Sequence, residues 1–434
     1  MPYSIDTRTL QPGDTYVAIR GETHDGHTFV PQAVEKGAPR VVVAQDVDVP
    51  SEVEVVRVED TLGYLVEQAT EKIRRIGPDI VAITGSMGKT TTKMGILAVL
   101  GQSFEVVASE GNKNTPLGLS LLVLNHELGP ETKLVLEMGA RLEGDLRELC
   151  SYFPPTVSVV TNVRGVHVET FGSIDGVQRE KSELVRALDE DGTACLNGDD
   201  PRVLQMAEVN RGRTLTYGTG PDCDVRPDRI TATLPILGDP GTYTALAAMT
   251  VGLALGMSEE QINRGLEQIK PEKGRLNRLR GRNGSTLIDD TYNASPDAVL
   301  AALRVLRDQN AERRIAFLGD MLELGDTEVE QHARTLAAAT ACVDRVYAVG
   351  ELMASAAESL SEAERERVTV YERSSELADA LRHGRIYEPQ PGDAMLVKGS
   401  QGARMERVSE ALLHPDVDPA DALPRQSESW KQIA

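Results

Sequence analysis

Short β-branched runs at residues 15–19, 40–43 and 53–58 are separated by turn signals such as Pro12-Gly13 and Asp25-Gly26. Short apolar runs bounded by turn residues read as strands. An amphipathic stretch at 61–76 then reads as a helix, and Gly77-Pro78-Asp79 as a linker. Residues 1–77 are therefore expected to form a small α/β domain.

The pattern changes at residues 80–84, a continuous apolar run that suits a strand buried on both faces. Further strands are expected at 134–137 and 157–161, with helices at 176–188 and 242–256. Strands alternating with helices predict a mainly parallel sheet covered on both faces. This second domain is expected to span 78–274. The same logic repeats over 275–434, with strands at 285–289, 314–318, 345–349 and 394–397 and helices at 296–309, 328–341 and 374–383. The tail after Pro415 is polar and is expected to be loosely held. The fold class is α/β in three domains, which suits 434 residues, too many for one hydrophobic core.

The strongest local signal is Thr84-Gly85-Ser86-Met87-Gly88-Lys89-Thr90-Thr91, between an apolar strand and a helix pattern. Glycines let backbone N–H groups approach phosphate oxygens, and the following helix adds the partial positive charge of its N-terminus. Lys89 would reach the β- and γ-phosphates, and Thr90 would hold Mg²⁺ through its hydroxyl. Ile83 stands where the strict phosphate-loop pattern has its first glycine. A plain glycine turn is the alternative, but strand, glycines, Lys-Thr and helix together favour nucleotide binding.

Charge narrows the partners. Lys plus Arg is 46 against 67 for Asp plus Glu, a net −21, which argues against nucleic acid or an anionic membrane surface. Cys150, Cys195, Cys223 and Cys342 form no CxxC pair and read as isolated thiols of a reducing cytosol. No basic start precedes an apolar run and no apolar stretch is long enough to span a membrane, so a cytoplasmic protein is expected.

The phosphate loop resembles that of the Mur ligases, and other motifs follow in that family's order. They include Asp6-Thr7-Arg8, Gly21-Glu22-Thr23-His24-Asp25-Gly26-His27, Gly111-Asn112-Lys113-Asn114, Glu137-Met138-Gly139-Ala140 and Lys181-Ser182-Glu183. Gly274-Arg275, the run from Asp289 to Pro296, the run from Leu318 to Gly325, and Val397-Lys398-Gly399-Ser400 complete the series. The last three resemble the branch that adds the terminal dipeptide.

That resemblance implies an N-terminal domain for the UDP end of the substrate, a central phosphate-loop ATPase and a Rossmann-like C-terminal domain that closes over the site. It implies an ATP-dependent amide ligase of peptidoglycan synthesis, which forms an acyl phosphate on a UDP-N-acetylmuramoyl tripeptide and couples it to D-Ala-D-Ala. The partners would be small molecules and the chain a monomer. Thr90, Glu137, His167 and Lys181 would serve two Mg²⁺ ions, Lys181 as a carbamate made with CO₂. Arg275 and Asp289 or Asp290 would hold the nucleotide from the closing domain. Asn293 would face the incoming amine. Against the family pattern, Asp6-Thr7-Arg8 comes early, and Pro240, Gly241 and Thr244 replace residues of an adenine-contacting segment. A related ligase with another acid or amine is the alternative; a relative without catalysis is a third reading, opposed by the intact Lys89, Thr90, Glu137, His167 and Lys181.

Overall fold

In the computed structural model, residues 1–21, 24–109, 114–165 and 168–431 are described. They form three sheets in chain order. The first is wholly parallel: β1 (Tyr3–Ser4), β2 (Thr15–Val17), β3 (Arg40–Val43) and β4 (Glu54–Arg57). The helix Thr61–Ile76 follows, capped by the Asp60 carboxylate at one end and by Gly77, at φ 67°, at the other.

The second sheet has the order β10-β9-β8-β5-β7-β6. Its strands are β5 (Asp79–Thr84), β6 (Val106–Ala108), β7 (Lys133–Glu137), β8 (Val157–Val160), β9 (Thr193–Asn197) and β10 (Arg213–Tyr217), all parallel. β5 and β7 to β9 are buried almost throughout, as a sheet covered on both faces demands. Chain order reverses around β5, with β7 on one side and β8 on the other. Such a switch point leaves a crevice at the carboxyl ends of the strands.

The third sheet has the order β11-β12-β16-β13-β14-β15. It comprises β11 (Asn277–Arg280), β12 (Thr286–Asp290), β13 (Arg313–Gly319), β14 (Arg345–Val349), β15 (Val368–Tyr371) and β16 (Asp393–Lys398). Only β11 runs antiparallel to its neighbour. The apolar side chains of the two faces pack into separate clusters, one around Leu303 and Leu336, the other around Phe317 and Met405. The carboxyl ends of β12, β16 and β13 lie side by side.

The tail differs from the sequence-based expectation. Leu423 and Ala422 are buried in the third unit, and Arg425 is 6% exposed at its side chain. Glu406, buried, pairs with both Arg404 and Arg425. The other charges of the tail are exposed, but Arg425 turns inward to Glu406 and, with Ala422 and Leu423, holds the segment on the third unit.

Candidate active site

β5 ends at Thr84, and the chain turns through Gly85 (φ 150°) and Gly88 (φ 79°) into the helix Lys89–Leu100. Positive φ is open to glycine at low cost. A Cβ at Gly85 would also strike the Thr161 hydroxyl. The loop is pinned from β8: Ser86 N–H donates to the Asn162 carbonyl at 3.0 Å, Met87 N–H to Asn162 Oδ1 at 3.0 Å, and Thr161 Oγ1 to the Met87 carbonyl at 2.6 Å. Lys89 Nζ donates back to the Gly85 carbonyl at 2.8 Å, closing the ring that an anion would fill. Burial lowers the Lys89 pKa; Glu137 works against the shift and Arg275 adds to it.

Glu137 ends β7 beside this loop and is buried. Among the described residues its Oε2 has no hydrogen-bond partner, and neither has Thr84 Oγ1. Lys93 Nζ, 3.8 Å from Glu137, offsets part of the charge. Buried oxygens without partners are costly, and a hard divalent cation suits them. Among the described residues no group of three His, Cys, Asp or Glu is placed to hold a metal ion, and Thr90 and Glu137 are the described residues beside the loop that would contribute to one. His167 lies outside the described residues.

Lys181 lies on the helix Ile174–Arg186 and is buried. Glu180 before it accepts hydrogen bonds from Gly144 and Leu146 N–H at 2.7 and 2.8 Å, which fixes the helix against its neighbour. Burial pushes the Lys181 ammonium down to about 7, with the charge of Lys89 acting the same way. A neutral amine near pH 7 is a nucleophile.

The carboxyl edge of the third sheet faces this loop across a cleft of about 770 Å³. Ser86 to Thr92 and Glu137 line one side; Arg275, Asp290, Tyr292, Asn293 and Lys398 line the other. Ser295 Oγ reaches Met87 Sδ at 3.9 Å, joining the walls. Asp290 Oδ2 lies 2.6 Å from Lys398 Nζ, which also donates to the Asn293 carbonyl at 2.9 Å. Arg275 packs over the Tyr292 ring at 4.1 Å.

Of the two candidate aspartates, only Asp290 faces the cleft. Asp289 does not fit a nucleotide-binding role: successive side chains on a strand point to opposite faces. Its fully buried carboxylate accepts from Thr291 Oγ1 at 2.9 Å and Ser409 Oγ at 2.6 Å on the far side. Burial, against those two hydrogen bonds, raises its pKa to about 7, and Asp290 and Glu406 push the same way.

Sequence reasoning assigned no role to Lys398, Asn162, Arg164, Asp199 or Tyr243, all of which line the cleft. Asp199 accepts from Tyr243 Oη at 2.7 Å, Thr219 Oγ1 at 2.9 Å and Gly220 N–H at 2.9 Å. Burial opposes its ionisation, yet these bonds hold the carboxyl below the usual range. Pro240 and Gly241 sit in the first turn of the helix Gly238–Ala254, where proline is tolerated, and Thr244 packs where a Cβ on Gly95 would lie.

Three family descriptions match in the order of the sheets. "Mur ligase family, catalytic domain" covers residues 3–76, "Mur ligase middle domain" 83–239, and "Mur ligase, glutamate ligase domain" 274–401. The chain is 34% identical to a Bacillus subtilis protein named UDP-N-acetylmuramoyl-tripeptide--D-alanyl-D-alanine ligase, over 94% of this chain and 92% of that one. An Escherichia coli protein of the same name is 31% identical, over 94% and 93%. Among solved structures, MurF from Acinetobacter baumannii superposes with a TM-score of 0.84 at 29% identity, covering 94% of this chain and 92% of that one. The Thermotoga maritima MurF ligase in complex with ADP superposes at 0.81 with 27% identity, over 94% and 96%.

Proposed function

The chain belongs to the Mur ligase family, and on that premise we propose that it joins D-Ala-D-Ala to a UDP-N-acetylmuramoyl tripeptide with ATP, for peptidoglycan synthesis. The observation that carries the reading is the phosphate loop facing Arg275, Asp290, Asn293 and Lys398 across one cleft. Units 1–77, 78–274 and 275–434 divide the work: the first takes the UDP end, the second the triphosphate, and the third the approaching amine.

A carboxylate resists an amine because its oxygen leaves poorly. Its attack on the γ-phosphorus breaks the bond to the bridging oxygen, releases ADP and leaves an acyl phosphate. The neutral amine attacks the acyl carbon, and the tetrahedral intermediate expels phosphate as the amide forms and a proton is lost to solvent. Lys89 and the loop N–H groups meet the phosphate charge, and Arg275 adds a cation from the other wall. Two sheets closing on the cleft keep water from the acyl phosphate.

Thr90, Glu137, Lys181 and His167 are the residues we assign to Mg²⁺, which when bound neutralises phosphate charge. We assign Lys181 the carbamate role: a buried amine with its pKa near 7 adds CO₂ and loses a proton, placing an anion beside Lys89 where two ammonium groups would repel. We place the reaction in the cytoplasm, where its ATP is, and take the active unit to be a monomer.

The test is phosphate release from ATP and Mg²⁺ with UDP-N-acetylmuramoyl tripeptide, with and without D-Ala-D-Ala. Release that needs both, with a product heavier by one dipeptide, is expected. No release from protein shown to bind ATP would overturn the substrate assignment.

A further inference from the structure

Gly274 has φ 75° and lies where the second unit passes into the third. It is hemmed in: a Cβ there would meet Tyr292 N at 2.9 Å and Pro424 Cγ at 3.0 Å. Tyr292 N–H donates to the Gly274 carbonyl at 3.0 Å, and Lys273 Nζ donates to the Ala420 carbonyl at 2.6 Å. The C-terminal segment thus touches the connection between the units at two successive residues.

Its third attachment is Arg425. That buried guanidinium donates to the Thr291 carbonyl at 3.0 and 3.1 Å and to the Tyr292 carbonyl, and pairs with Glu406 Oε2 at 3.1 Å. It lies 5.7 Å from the Tyr292 ring, which also carries Arg275 at 4.1 Å. Glu406 is shared between Arg404 and Arg425 and offsets only part of the charge of Arg425; what Arg425 contributes to Tyr292 is fixed hydrogen-bond geometry. Charge-assisted bonds to two adjacent carbonyls leave that loop little freedom.

We infer that Arg425 is a positioning residue: the C-terminal segment is a strap that holds the Tyr292–Asn293 loop, and through the Tyr292 ring sets Arg275 in the cleft. This rests on the proposed role of Arg275 toward the nucleotide. A guanidinium acts on developing charge only where it is held, and a displacement of about 1 Å can cost about a hundredfold.

The test is a double-mutant cycle on the full chain, with ATP varied at saturating acid and amine. Arg425→Met is expected to lower kcat/KM for ATP between about tenfold and a hundredfold. In an Arg275→Ala background the same change is expected to lower it no further, because the residue it positions is gone. Losses that multiply would overturn the inference, since general loosening does not depend on Arg275. Should Arg425→Met fail to fold, Tyr292→Leu leaves the Glu406 pair and both carbonyl bonds available and is read in the same cycle, with the same outcomes. Absence of wild-type product would count against the proposed reaction, while the cycle read as ADP affinity by calorimetry would still judge the strap.

Discussion

Lys398 and Asp290 form a buried ion pair at 2.6 Å at the carboxyl ends of two adjacent parallel strands, β16 and β12. Lys398 spans from that carboxylate to the Asn293 carbonyl, so one ammonium ties the acidic strand end to the loop facing the second sheet. The pair is part of the cleft wall and of the fold at once.

Removing one partner leaves a charge unpaired in a poorly solvated place, which costs about 3–5 kcal/mol. Lys398→Met should therefore lower thermal stability and turnover together. Lys398→Met with Asp290→Asn should recover much of the stability but little of the turnover. Calorimetric melting and product formation separate the two effects.

Lys89 is held inside its own loop by the Gly85 carbonyl. Lys89→Met should leave the melting curve near wild type yet lower turnover by at least about a hundredfold, the scale of losing one preorganised donor to a developing anion. A smaller loss, measured as phosphate release at saturating ATP, would mean that the loop amides suffice.

Turnover should depend on dissolved CO₂ through Lys181. Activity in buffer stripped of bicarbonate is expected to fall, and to return when bicarbonate is restored. Lys181→Ala should show low activity in both buffers. Equal rates for wild type with and without bicarbonate would count against a carbamate.

Asp289 predicts a pH effect opposite to that of most carboxylates. Its folded pKa, near 7, is above its ordinary value of 3.8. Stability from the protonated form is fully present below the ordinary value and is lost as pH rises through the folded one. Asp289→Asn should therefore raise the melting temperature of the third unit at pH 8 by at least about 2 °C and leave it nearly unchanged at pH 4. A constant difference across that range would sink the assignment.

The phosphate loop was legible because its parts are neighbours in sequence: a buried strand, two glycines, a lysine and a helix start. The helix Thr61–Ile76 and strands Arg40–Val43 and Arg345–Val349 match the expected spans residue for residue, since their patterns end at clear turn residues. Asp289 and Asp290 could not be told apart, because strand alternation separates their faces without saying which face meets a cleft. That depends on β16, which arrives over a hundred residues later. The tail misled for a related reason: Arg425 looks solvated until it is seen against the buried Glu406 carboxylate, which lies outside the tail. Asp199 and Tyr243 meet at 2.7 Å from 44 residues apart, with no local signal for the pairing.

Synthesis runs from one end of the chain to the other, and units fold as they emerge. The phosphate loop belongs to the second sheet, whereas Lys398 and Arg425 come near the end. A nascent chain therefore has its triphosphate cradle long before it has the opposite wall or the strap. Products cut short before Arg425 would carry the cradle and the connection at Gly274 but leave Tyr292 without its anchor. Such a fragment would keep the cradle for nucleotide while Arg275 lost the hold that Arg425 gives it through Tyr292, so a segment made late in synthesis bears on how well bound ATP is used.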